Sequence, residues 1–220
     1  DIYGFTAEAN IIFPNFTDDN IKFNRNFITS SLFGMYMANT KSVTDPTFGG
    51  EDGLDNANFQ VFAVRDAENS RNVHFLVTSS VTPYPFPVLT SSVYLNVYDD
   101  EQWNLSVRLK PTNYPLTTLV SGSDVGYSYT LEFKGINAVG NTVQNSFLVT
   151  ASIAKETGAN FLKSAKRMYA GARKTNFTGA LLNKTDVLFN NLKYWTKYIE
   201  DSDLEQHLYD ATNQGISGSH

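Results

Sequence analysis

The chain has 220 residues, of which 18% are charged, with 16 Phe, 12 Tyr, two Trp and no Cys. The net charge of −5 and the lack of any Lys/Arg run argue against a nucleic-acid-binding protein, since nothing would neutralise the phosphates. Without cysteine, disulfides, zinc–thiolate sites and thiol nucleophiles are excluded. No apolar run reaches the roughly 18 residues of a membrane span.

The low charge content and the aromatic load, together with abundant Asn, Ser and Thr, favour β structure over helix. Alternation of apolar and polar residues with a period of two dominates the first half of the chain. Gly34 falls inside one alternating segment, where it indicates a bulge or a close backbone contact. The alternation predicts strands at 5–13, 31–37, 59–64 and 73–77, the last two forming a hairpin.

The second half continues the pattern with strands at 93–98, 103–109, 127–133, 147–153, 167–172 and 186–195. The first two of these are predicted to pair across a short acidic turn. The next two are predicted to flank a polar connection that contains Gly135 and Gly140. Only 201–209 is predicted to be helical, with Asp201 or Ser202 as the N-cap and acids in its first turn.

Ten or more short strands with almost no helix indicate an all-β fold, a two-sheet antiparallel jelly-roll sandwich with a short C-terminal helix. The three prolines of 82–87 exclude a central strand and predict an extended surface loop rather than a domain boundary. We therefore expect one domain over 1–216, followed by a linker or tag remnant at 217–220. Because the chain starts at Asp1 without Met or a signal peptide, it is expected to be a segment of a longer protein.

The acidic residues and histidines give no support for catalysis. Sandwich glycosidases need two carboxylates on one concave face, about 5–9 Å apart. The nearest match is 201–205, whose three acids stand at the predicted helix start and favour its dipole. His74, His207 and His220 lack metal-ligand spacing, and no Gly-x-Ser-x-Gly motif accompanies them. The sequence therefore predicts no enzymatic activity.

Acidic residues also crowd a glycine-rich stretch, DPTFGGEDGLDN, at 45–56. Its Asp45, Glu51, Asp52 and Asp55 are candidate calcium ligands, because this hard cation prefers oxygen-rich loops. The order of the acids does not match an EF-hand, and an ordinary solvated loop is the alternative. Calcium is the one cofactor that these residues suggest.

Aromatic side chains at a surface can stack on sugar rings. Trp103 opens an alternating strand and Trp195 ends another, so both are predicted to pack in or beside the core. Tyr84 and Phe86 lie on the proline-stiffened loop, where they are freer to contact a partner. These two are the candidate ligand-binding residues.

The order of motifs in the last quarter of the chain resembles the C-terminal half of concanavalin A-like, laminin-G-like jelly-roll domains. In those domains a strand ending in Gly precedes a Phe-x-Gly turn, a second strand with Asp-Val, a hydrophobic position and a helix that begins with acids. The corresponding residues here are 169–171 (YAG), 177–179 (FTG), Asp186-Val187, Trp195 and 201–207. The resemblance implies a jelly-roll topology.

Longer phrases are similar to the version of this domain found in large virion structural proteins of marine tailed phages. They recur there in the same order: AEANIIFP (7–14), TSSLFGMY (29–36), VYDDEQWNLSVRLKP (97–111), YTLEFKGIN (129–137) and GARKTNFTGALLNKTDV (171–187). The resemblance covers most of the chain and implies one module of a multidomain particle protein. Domains of this family often bind calcium or glycans through rim loops, although no ligand motif of theirs matches here.

The first hypothesis is a non-catalytic structural or adhesion module on the virion surface, in a tail appendage, baseplate or capsid decoration. Its partners would be other virion or parent-chain domains and host surface polysaccharide, with homo-oligomerisation through the parent protein. The alternative is a secreted, extracellular carbohydrate-binding (lectin) module attached to a larger enzyme or adhesin. A glycoside hydrolase is the minor alternative. No nucleic acid or membrane partner is expected.

Overall fold

A computed structural model describes residues 4–15, 28–37, 57–112, 128–174 and 180–216. The first half of the chain forms β1 (Phe5–Phe13), β2 (Thr29–Met37), β3 (Ala57–Arg65), β4 (Val73–Thr78), β5 (Leu89–Tyr94) and β6 (Glu101–Pro111). The second half forms β7 (Ser128–Val139), β8 (Thr142–Ala154), α1 (Lys155–Lys163), β9 (Lys166–Ala170), β10 (Arg173–Lys174), β11 (Leu181–Asn183), β12 (Leu188–Trp195) and α2 (Asp201–Tyr209).

The strands form two antiparallel sheets of five strands each, as the all-β prediction requires. Sheet A has the order β12-β1-β6-β7-β8, and sheet B has the order β5-β4-β3-β2-β9. A separate two-stranded ribbon pairs β10 with β11. The jelly-roll topology and the linker at 217–220 stay predictions, since that linker lies outside the described residues.

The contacts of the chain group into two compact units. Unit 1 comprises Asp1–Asn10, Trp103–Lys163 and Asn191–His220, and it holds most of sheet A with both helices. Unit 2 comprises Ile11–Gln102 and Ser164–Asn190, and it holds sheet B and the ribbon. The single domain expected over 1–216 stays a prediction.

In unit 1 the long hairpin of β7 and β8 corrects the predicted polar connection. The two strands pair almost without interruption from Ser128↔Ala154 to Val139↔Thr142, and only Gly140 and its neighbour Asn141 form the turn. Gly140 adopts a φ of +58°, which favours glycine. Gly135 lies inside β7. Glycine is needed there because the ring of Phe147 occupies the space where a side chain would stand.

The two helices pack on opposite faces of sheet A. On one face Phe161 of α1 meets Phe5 edge-on, with ring centroids 4.9 Å apart. On the other face Leu204 and Leu208 of α2 join Ile136 and Ile199 in a hydrophobic cluster. Sequence patterning predicts α2 with its observed limits but misses α1, whose Thr157, Gly158 and Asn160 have poor helix propensity. The N-cap of α2 is Glu200, not Asp201 or Ser202.

In unit 2, β2 lies between β3 and β9, and both of its faces are buried. The predicted close contact at Gly34 is confirmed, since a Cβ there would lie 2.6 Å from the Phe59 carbonyl oxygen and 2.7 Å from the Tyr169 hydroxyl.

Trp103, in unit 1, is fully buried, as the alternation in β6 predicts.

The pairing predicted between 93–98 and 103–109 is wrong. The first of these strands is β5, which runs from 89 to 94 and pairs with β4, whereas β6 pairs with β7. The chain turns after Tyr94, where Asn96 takes a left-handed φ of +57°. Val97 and Tyr98 are nevertheless buried, so burial outside a strand produced the misleading pattern.

Candidate functional site

The proline-stiffened loop between β4 and β5 separates the two predicted ligand-binding aromatics. The side chain of Tyr84 is 45% exposed, whereas Phe86 is 5% exposed and packs inward. The loop base is held by Ser80 and Val81, whose backbone N–H groups each donate to the carbonyl of Ala57 at 3.0 Å. Of the predicted pair, only Tyr84 is accessible at the surface, so the expectation of two free aromatics is corrected to one.

The predicted calcium ligands Asp45, Glu51, Asp52 and Asp55 lie outside the described residues. Among the residues that the structure does describe, no three His, Asp or Glu side chains converge as metal ligands would. The calcium site therefore stays a prediction on the 45–56 stretch.

One polar cluster of unit 1 surrounds Glu8, on the face of sheet A that α2 covers. We call it the Glu8 cluster: Glu8, Asn104, Lys193, Trp195 and His207. Glu8 Oε1 accepts hydrogen bonds from Trp195 Nε1 at 3.2 Å and from His207 Nδ1 at 2.7 Å. Asn104 Nδ2 donates to Oε2 at 3.4 Å, and Lys193 Nζ lies 3.8 Å from Oε1. The Glu8 and His207 side chains are each only 1% exposed.

Both ring nitrogens of His207 have a polar partner. Nε2 lies 2.7 Å from the carbonyl oxygen of Gly215. Nδ1 lies 2.7 Å from Oε1 of Glu8. The imidazole also stacks on Trp195, with ring centroids 5.7 Å apart. His207 thus ties α2 and the segment that follows it to sheet A.

A second cluster on the same face surrounds Arg108, and we call it the Arg108 network: Arg108, Lys110, Glu132, Lys134, Tyr198 and Asp201. The guanidinium contacts Glu132 Oε2 at 2.8 Å and Asp201 Oδ1 at 2.7 Å, and it donates to the Ile199 carbonyl at 2.9 Å. Lys110 Nζ lies 2.9 Å from Glu132 Oε1. The network joins β6 and β7 to the first residue of α2.

Two groups of the Arg108 network have shifted pKa values. Burial raises the pKa of Tyr198, and its hydrogen bond to Glu132 at 2.8 Å adds to the rise, although the Arg108 charge opposes it. Burial alone would raise the pKa of Asp201, but hydrogen bonds from Lys134 and the charge of Arg108 outweigh it, so the pKa is lowered. Tyr198 therefore stays a neutral donor, and Asp201 stays a carboxylate.

Unit 2 contains a fully buried ion pair between Arg65 and Asp186. Asp186 Oδ1 also accepts hydrogen bonds from Ser30 Oγ at 2.6 Å and from the Tyr98 hydroxyl at 2.7 Å. The Arg65 guanidinium stacks over the Tyr98 ring, 3.9 Å from its centroid. Burial raises the pKa of Tyr98, and the negative charge of Asp186 raises it further. The pair fixes the segment before β12 to β2 and β3.

These arrangements hold chain segments in place. In the Glu8 cluster, the one histidine–carboxylate contact is buried, and the far nitrogen of the ring is occupied by a backbone carbonyl. Each buried carboxylate of the three clusters contacts a lysine or arginine side chain. Such contacts offset the large penalty of burying a charge.

Sequence reasoning missed all three clusters. The sequence shows only that His207 lacks metal-ligand spacing, and 199 positions separate it from its partner Glu8. One signal was present: Glu8 stands within FTAEANIIF, a strand whose burial is nearly complete on both faces. A carboxylate there must find partners from other elements. In the sequence, Asp186 stands out only as part of the motif shared with laminin-G-like domains.

Neither α1 nor α2, the helices of the described ranges, is long and apolar enough to cross a membrane. No protein-family model matches this chain, and no curated protein matches its sequence.

Proposed function

We propose that this chain is a non-catalytic structural or adhesion module of a phage virion protein, built as a concanavalin A-like jelly roll. Two antiparallel sheets of five strands supply the strands that such a fold needs. The ordered resemblance to domains of tailed-phage virion proteins supplies the biological setting. The module would display its loops outward on a stiff scaffold.

The observation that carries this proposal is the set of contacts that the buried carboxylates make. Glu8, Glu132 and Asp186 each contact a cationic side chain and a hydrogen-bond donor, so the carboxylates stiffen the scaffold. A carboxylate engaged in this way is a poor general acid or base for an incoming substrate, because its charge and lone pairs are already committed. A rigid scaffold suits a module that displays its loops to a partner.

Contact with host polysaccharide is assigned to the loop that carries Tyr84. Its ring stands at the surface of unit 2, while Phe86 and Val81 pack inward and fix the loop at both sides. An exposed aromatic ring on a stiff support loses little conformational freedom when a sugar ring stacks on it. The same feature supports the second candidate, a secreted lectin module, because both functions need a sugar-contacting surface.

A glycan array probed with the chain, followed by calorimetry on the best polysaccharide, tests the contact. Tyr84→Ala is expected to weaken binding up to about tenfold, since one aromatic stacking contact contributes roughly 0.5–1.5 kcal/mol beyond its buried area. The matched control is Tyr209→Ala, which removes a similarly exposed tyrosine from α2. Equal binding by both variants, or no binding to any glycan with or without calcium, would refute the adhesion role.

The virion setting has its own test. Mass spectrometry of purified virions, with immunogold labelling by an antibody against this chain, is expected to place the parent protein on the particle surface. Its detection in culture supernatant and not on particles would favour the secreted lectin.

A further inference from the structure

The outer edge of sheet A is a long strand that is paired on one side only. β8 runs for 13 residues, pairs with β7, and has no strand on its other side among the described residues. Half of its backbone N–H and C=O groups therefore point away from the sheet, as at any edge. The outer strands of the two five-stranded sheets are β12, β8, β5 and β9. β8 is the longest of the three that lie wholly within one unit.

The register of β8 is fixed by packing on one face. Phe147 lies with its ring centroid 5.0 Å from that of Phe133 and 6.3 Å from that of Trp103. Its ring fills the space above Gly135, where a Cβ would lie 2.2 Å from the ring. Because residues alternate between faces, the even-numbered residues are held on the opposite face, where all seven are exposed and Leu148 is 48% exposed.

The chemistry of this edge differs from that of protected edges. Natural proteins discourage pairing at edge strands with charged side chains, proline or a short length. β9, an edge of sheet B, has five residues and carries Lys166 and Arg167. β8, TVQNSFLVTASIA, contains no charged residue and no proline. Nothing in its sequence opposes the addition of another strand.

We infer that β8 pairs with β8 of a second copy of this chain, antiparallel about a twofold axis at Leu148. This inference does not depend on the proposed function. In that register Leu148 faces its own copy, and the other pairs match in polarity except Asn145 with Ala151 and Thr142 with Ala154. On the exposed face the polar pairs are Ser146 with Thr150 and Gln144 with Ser152, and on the packed face the apolar pairs are Phe147 with Val149 and Val143 with Ile153.

A second copy fits this edge better than a charged partner strand. In an isologous contact residue i of one copy lies opposite residue j of the other and j lies opposite i, so the two halves of the strand must suit each other. A strand without charges avoids like-charge pairs in every such register, and the apolar pairs above add cross-strand contacts. The product would be a continuous sheet of ten strands.

The experiment uses the chain as it is, by sedimentation equilibrium over a range of concentrations. The wild type is expected to dimerise. Leu148→Lys places two ammonium groups directly opposite each other across the axis, and Leu148→Glu does the same with two carboxylates. Each variant alone is expected to raise the dimer dissociation constant tenfold or more, because opposed like charges are strongly unfavourable. An equimolar mixture of the two is expected to dimerise again.

Leu95→Lys is the matched control, since Leu95 is an exposed leucine outside β8; it should leave the dimer unchanged. Circular dichroism confirms the folding of each variant, and Ser146→Lys provides a second charge at the edge should a Leu148 variant fail to fold. A wild type that is monomeric at high concentration would overturn the inference. So would a dimer that survives Leu148→Lys and Ser146→Lys, or variants that stay monomeric when mixed.

Discussion

Each of the two units holds a later segment of the chain against a sheet with a buried arginine–carboxylate pair, but the surroundings differ. Arg65 and Asp186 in unit 2 are sealed, and the remaining lone pairs of Asp186 are used by hydroxyl groups. Arg108 and Glu132 in unit 1 belong to a branched network that reaches Asp201, whose side chain is 54% exposed.

The difference shows two ways of burying the same charges. Each charge of a sealed pair is neutralised only by the other. Removing either one leaves the other uncompensated in a nonpolar environment. In a branched network the charge that loses a partner keeps others and has access to solvent. Arg108 would still contact Asp201 and the Ile199 carbonyl without Glu132. The stability of unit 2 should therefore be the more sensitive to a single substitution.

The largest effect is expected from Asp186→Asn. The change keeps the size of the side chain but leaves Arg65 without its counter-charge, so we expect the free energy of unfolding to fall by about 3 kcal/mol. Urea denaturation followed by circular dichroism measures it. The control Asp99→Asn breaks the exposed pair with Arg71, 3.0 Å long, and should change stability by less than about 1 kcal/mol. Equal effects would mean that burial of the pair is unimportant.

A smaller loss is expected from Glu132→Gln. It removes the central carboxylate of the Arg108 network, but Asp201 still neutralises Arg108, so we expect about 2 kcal/mol in the same urea measurement. Glu156→Gln in the first turn of α1 is the control, and only a few tenths of a kcal/mol are expected from its lost helix-dipole interaction. A loss larger than that of Asp186→Asn would reverse the proposed contrast between the units.

The smallest effect is expected from Asp201→Asn, and it should depend on pH. The pKa of Asp201 is lowered in the folded chain, so its stabilisation is present above the unfolded value of 3.8 and is lost as the pH falls through the folded value. Because the group is largely exposed, we expect a loss of only about 0.5 kcal/mol at neutral pH. Unfolding measured in steps from pH 7 downward should show the difference from wild type shrinking as the pH falls below 3.8 and vanishing below the lower folded pKa. A difference independent of pH would rule out the ionic contribution.

The sequence predicts a strand or helix well where the residues of that element alone determine it. β1 to β4 and α2 follow from alternation and from acids at a helix start, and the limits of β1 and α2 are met at both ends. The choice of pairing partner is not encoded locally, so alternation alone pairs β5 with β6, although β5 belongs to sheet B. α1 forms because Gly158 lets the helix approach the Tyr129 ring, a tertiary contact that overrides weak propensity.

For the candidate sites too, the sequence predicts local features but not the tertiary contacts. The turn residues of 82–87 predict a surface loop, yet they do not reveal that Tyr84 faces outward and Phe86 inward. The Glu8 cluster joins residues from β1, β6, β12 and α2, so its composition depends on sheet order. Side-chain ionisation and burial are properties of such assemblies and not of any short stretch.

The backbone of Tyr84 carries a further consequence. Its φ of +74° lies in the left-handed region, and the other non-glycine residues of the described ranges found there are Asn69, Asn96 and Asp100, whose short polar side chains tolerate it. For a large aromatic residue this conformation is unfavourable by about 1 kcal/mol or more, and glycine would avoid that strain. A half-exposed ring at such a position weakens the isolated fold. The ring that the proposed function assigns to host polysaccharide is therefore held in place at a cost to the isolated fold.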